Sequence, residues 1–237
     1  MDGQKLIATI DQLRLRIADR FPDSGLGLVC DQLAQVACQA QQRAEWIMRP
    51  VYWLRALIAV LIGLTLVILI ATFAMRNWRL EVGNASDFIQ MLEAGTNELI
   101  FIGAGIVFLV SLEIRWKRHR ALDALHELRS IAHIIDMHQL TKDPERTLGS
   151  PLVTPHSPTT RMNRFELVRY LDYCSEMLSL TAKVGVLYVQ RFHDPVALAS
   201  ANDLESLTVG LSRKIWQKIA IVYWQVGEAN STRSARI

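Results

Sequence analysis

The chain has 237 residues, 51% of them hydrophobic, and a net charge of +3. That length suits one large or two small soluble domains, but the apolar residues are too unevenly placed for an ordinary soluble chain. The positive charge gathers beside the most apolar stretches, where it suits anionic lipid headgroups better than nucleic acid.

In chain order, residues 4–20 carry Leu6, Ile10, Leu13 and Ile17 at helical spacing, which predicts a short amphipathic helix. "RFPDSG" breaks it, and Asp23 or Ser24 can cap the next helix. That helix places Val29, Leu33, Val36, Ala40 and Ile47 on one side. Cys30 and Cys38 are read as packing thiols on the same helix. The three cysteines, with Cys174, lack metal-site spacing, and their placement predicts reduced thiols. The polar, amphipathic start of the chain does not read as a cleaved signal peptide. Pro50 then either begins a new helix or kinks a continuous one.

Ala56 to Met75 is a run of 20 uncharged residues, 12 of them Leu, Ile, Val or Phe. At 1.5 Å per residue such a helix reaches about 30 Å, the hydrocarbon thickness of a bilayer. Leu99 to Leu112 is uncharged for 14 residues and continues through Ile114 to Trp116. Glu113 and Arg115 can reach the interface from there, and Trp116 suits that depth. The two stretches predict a transmembrane helical hairpin over residues 51–116 with an external loop at 76–98. Within the loop, Ser86 would cap a short helix and Gly95 would stop it.

Orientation follows from Lys and Arg. Arg43, Arg49 and Arg55 lie before the first span, and Arg115, Lys117, Arg118, Arg120 and Arg129 lie around the end of the second. The loop holds Arg76 and Arg79 against Glu81, Asp87, Glu93 and Glu98. This asymmetry predicts a multi-pass protein of the plasma or bacterial inner membrane with both termini in the cytoplasm. Arg55 and Glu113 both fall toward the cytoplasmic end of the hairpin and are expected to pair, because an intramembrane charge usually finds a partner. Ala59, Gly63, Gly103 and Gly105 are small residues that permit close span packing.

From Ile106 to Asp143 there is neither glycine nor proline, so the second span should run straight on through residues 117–141. Its tail, "HRALDALHELRSIAHIIDMHQ", returns His119, His126 and His133 to one face every seven residues. Seven residues rise roughly 10 Å, whereas ligands of one metal ion each lie within about 2.1 Å of it, so no two of these share an ion on one helix. His133 with Asp136 has i,i+3 spacing but falls on the polar side. Ala121, Leu125, Leu128, Ile131, Ala132 and Ile135 form the opposite, packing side.

Residues 142–162 hold four of the seven prolines and read as a linker. Residues 163–228 predict a helical pair. Leu167, Leu171, Cys174, Leu178, Thr181 and Gly185 form the first stripe, and Leu204, Leu211, Ile215, Ile219 and Val222 the second. Asp194-Pro195 opens the second helix as cap and first residue. "SRKIWQKIAIVYW" joins basic residues to Trp216, Tyr223 and Trp224, and reads either as core packing or as a membrane-surface face. Residues 229–237 read as a disordered tail.

No Gly-rich phosphate loop, Gly-x-Ser-x-Gly elbow or Cys-x-x-Cys occurs. The sequence therefore predicts an all-α membrane protein: cytoplasmic helices at 1–50, the hairpin, and a cytoplasmic helical bundle. Its expected role is a membrane-anchored scaffold or adaptor, acting through self-association or a protein partner. No catalysis, cofactor, metal, nucleic acid or small-molecule substrate is expected. The alternative is a subunit of an oligomeric channel or transporter, against which no selectivity-filter sequence stands.

Overall fold

A computed structural model of the chain describes residues 1–48, 52–77, 85–142 and 162–234. Pro50, nearly all of the proline-rich linker (143–161) and the last three residues lie outside the described residues. The described elements are six helices, α1 (Gly3–Arg20), α2 (Gly25–Met48), α3 (Tyr52–Asn77), α4 (Ala85–Leu140), α5 (Arg164–Val189) and α6 (Pro195–Ser234). Among the described residues there is no strand. The chain divides into two units, one comprising residues 1–48 and 120–237, the other 49–119.

In the first unit, helical periodicity becomes a core. Leu6, Ile10, Leu13 and Ile17 of α1 are all buried, as are Val29, Leu33, Val36 and Ala40 of α2. The side chain of Ile47 lies outside the described set. The α4 segment from Arg120 onward buries Ala121, Leu125, Leu128, Ile131, Ala132 and Ile135. Both predicted stripes of α5 and α6 are buried as well. Burying each such Leu or Ile favours the fold by about 1.5–3 kcal/mol relative to leaving it in water. Arg16 Nη2 meets Glu176 Oε2 at 2.6 Å, and Arg43 Nη1 meets Glu127 Oε2 at 2.9 Å, tying α1 to α5 and α2 to α4 at the exposed rim.

Caps set the helix starts. Asp2 accepts from Gln4 N and Lys5 N at the head of α1. Asp23 takes a positive φ of 57° at the break, and Ser24 Oγ accepts from Gly27 N at 3.2 Å to open α2. Asn163 and Glu166 form a reciprocal capping box at α5, each bond 2.8 Å. Asp194 Oδ1 accepts from Val196 N and Ala197 N, with Pro195 as first residue of α6.

Four expectations are revised. The loop at 76–98 is mostly helix, because α3 continues through Arg76 to Asn77 and α4 begins at Ala85. Gly95 does not stop a helix there. An isolated interior glycine costs only about 1 kcal/mol against alanine, and α4 continues through it. α6 continues through residues 229–234 of the expected tail, for no glycine or proline follows Gly227 to end it. Cys38 is exposed whereas Cys30 is buried, since eight residues at about 100° each leave the two thiols about 80° apart on the helix.

Candidate functional site

The second unit pairs α3 with the α4 segment up to His119. Its large side chains face outward: Leu57, Val60, Leu64 and Ile70 of α3 and Leu99, Phe101, Val107 and Phe108 of α4 are all exposed. Gly95–Leu140 contains a stretch long and apolar enough to cross a membrane, and none of its most apolar window is buried. Among the described residues Arg55–Ile68 of α3 is apolar but shorter.

One end of this pair carries polar and aromatic groups. The α4 residues Glu113, Trp116 and Lys117 fall on successive turns of one face, and Trp53 and Arg55 come from the first turn of α3. Lys117 Nζ lies 2.7 Å from Glu113 Oε1, with the two side chains only 15% and 14% exposed. Arg55 Nε lies 3.9 Å from Glu113 Oε2, at the outer limit of an ion pair. Trp53 and Trp116 meet edge to face, centroids 6.3 Å apart at 80°. A half-buried carboxylate thus sits between two cations beside two indoles. Sequence reasoning named Arg55 as the partner and missed Lys117. Its signal was present, since Glu before Lys at i,i+4 is the favoured helical orientation.

The small residues behave differently. Ala59, Gly63, Gly103 and Gly105 are exposed, and a Cβ added at any of these three glycines would meet nothing within 4 Å. Gly105 lines a cavity of about 510 Å³ between the two helices, walled by Ile58, Leu61, Thr65, Phe101 and Leu109. Its hydroxyl is already used, because Thr65 Oγ1 donates to Leu61 O at 2.7 Å. Ser111 Oγ donates to Val107 O in the same way. Such a groove suits hydrocarbon rather than an ion or a polar solute.

The histidines His119, His126 and His133 are exposed on the outer side of α4. Asp136 accepts from Gln139 Nε2 at 2.7 Å, and among the described residues no group of three or more His, Cys, Asp or Glu could hold a metal ion. His138 behaves otherwise: its ring packs against Gly25, where an added Cβ would come within 2.6 Å of Cε1. Burial there, aided by Lys142, lowers its pKa. Nearby, Lys218 of α6 donates to Gln139 O at 2.9 Å and Lys142 O at 3.3 Å, a cation on the negative end of α4. Burial pushes the Cys30 and Cys174 thiols up to about 12, which disfavours their thiolate forms at neutral pH.

No family model, curated protein or solved structure matches the chain.

Proposed function

We propose that the chain is a membrane-anchored helical scaffold or adaptor. In this reading the second unit is a two-span hairpin, and the bundle of the first unit presents a surface to copies of itself or to a protein partner. The observation that carries it is the contrast between the units. One encloses a continuous apolar core, while the other leaves a long series of Leu, Ile, Val and Phe side chains outside. Water makes that arrangement unfavourable, and hydrocarbon removes the penalty. Basic residues at both hairpin ends nearest the bundle favour a cytoplasmic bundle. Glu113, held by Lys117 and Arg55 beside Trp53 and Trp116, would then sit at the inner headgroup level.

The channel reading gains less support. The groove between the helices is apolar, and the hydroxyls of Thr65 and Ser111 bond to their own helices. Mild detergent extraction followed by light scattering and partner identification tests the scaffold reading. It predicts a particle holding two or more chains, or the chain with a stoichiometric partner. A solitary chain without a partner contradicts it.

A further inference from the structure

The outer face of α6 departs from the rest of the bundle surface. Trp216, Tyr223 and Trp224 are 57%, 62% and 73% exposed, and Val209 and Ile221 are exposed with them. At about 100° per residue, Val209, Arg213, Trp216, Ala220, Tyr223 and Trp224 fall on one side of the helix, away from the buried Leu211, Ile215, Ile219 and Val222. Between Glu205 and Glu228 the helix has no acidic residue, while Arg213 and Lys214 are exposed. Beside Trp216, α5 and α6 leave a groove of about 410 Å³ where Ser179, Lys183, Ser212 and Arg213 line the walls with Glu205. Lys183 Nζ lies 2.6 Å from Ser179 Oγ.

We infer that this face docks on an anionic phospholipid surface. The three aromatic rings each combine an apolar body with an N–H or O–H tip, the chemistry that favours the headgroup boundary over a dry contact. Arg213 and, across the groove, Lys183 supply charge complementary to lipid phosphate. A second copy fits less well, because a two-fold contact through this face would bring Arg213 and Lys183 of both copies into one interface, with Glu205 the one acidic group lining the groove. The inference draws on the anchored reading for one thing, the nearness of a bilayer, which makes docking effectively intramolecular.

The test uses the full chain in vesicles of phosphatidylcholine and phosphatidylglycerol in equal amounts, with brominated acyl chains. Emission due to Trp216 and Trp224 is the difference between the parent and the variant carrying Trp216→Phe and Trp224→Phe. The inference predicts that this component falls about two-fold or more against unbrominated lipid. It also predicts recovery in high salt, in phosphatidylcholine alone, and in the variant carrying Arg213→Glu and Lys183→Glu, whose thermal unfolding should match the parent. A component untouched by bromine and open to aqueous iodide overturns it. So does one shielded from both, which marks a protein contact. Retention of the chain in the vesicles after alkaline carbonate isolates the anchoring: retained chain with an unquenched component refutes the docking alone, whereas released chain refutes the hairpin.

Discussion

His138 shows how a single residue departs from its pattern. The three histidines at sevenfold spacing are exposed, whereas His138 lies against Gly25 with its pKa lowered by burial and by Lys142. A depressed imidazole favours the neutral ring in the folded state. Below the ordinary histidine range, about 6.5, the unfolded chain takes up the proton more readily. The contribution to stability is therefore complete above that range and is lost as pH falls toward the folded value. Thermal unfolding between neutral and mildly acidic pH should show a smaller acid loss in His138→Gln than in the parent, and equal losses would refute the assignment. The charge cluster makes a second residue-scale prediction. In detergent, Glu113→Leu or Lys117→Leu should each destabilise the helix pair by about 1–2 kcal/mol, and the double variant by less than their sum. Arg55→Leu should couple to Glu113 more weakly, about 0.5 kcal/mol, because its pair is long and its side chain exposed. Strict additivity at Lys117 would remove the pair from the account. The Arg55–Glu113 proximity could be proposed from charge placement alone. Lys117 was overlooked because an intrahelical pair looks ordinary until burial of both side chains raises its importance.

At the scale of elements, two glycines separate crowding from propensity. A Cβ on Gly185 would come 2.8 Å from Leu204 Cδ2 and 3.4 Å from Leu125 Cδ2, where α4, α5 and α6 meet. On Gly210, exposed in α6, it would meet nothing within 4 Å. Gly210→Ala should stabilise the bundle by about 0.5–1 kcal/mol through helix propensity. Gly185→Ala should destabilise it by about 1 kcal/mol or more, because Leu204 is fully packed and overpacking outweighs the propensity gain. Denaturant midpoints of the two variants check the opposite signs, and a shared sign would contradict the packing. Most elements were legible in the sequence for a simple reason. The stripes Leu6–Ile17, Ala121–Ile135 and Leu204–Val222 repeat at helical spacing, and the caps at Ser24 and Asp194 precede them. What the pattern hid was continuity. The helix start expected at Ser86 falls within one residue of the start of α4 at Ala85, whereas the stop expected at Gly95 is worth only about 1 kcal/mol, less than the hydrogen-bonded turns that α4 retains by running on.

For the whole molecule, the contrast in packing between the two units carries most of the physical meaning. Composition alone pointed to lipid through the runs at Ala56–Met75 and Leu99–Leu112, and the outward Leu, Ile and Phe side chains of the second unit give that reading its physical motive. The exposed aromatic side of α6 could not be separated from core packing by sequence, since at 100° per residue Trp216 and Tyr223 lie only about 60° and 40° from the buried Ile219. The central claim is a hairpin that crosses the membrane twice and leaves the bundle inside. Protease accessibility of epitope tags at the N- and C-termini, compared in intact and permeabilised cells, tests it most directly. The account predicts that both tags resist digestion in intact cells and are both cleaved after permeabilisation. A tag cleaved at either end in intact cells would contradict it.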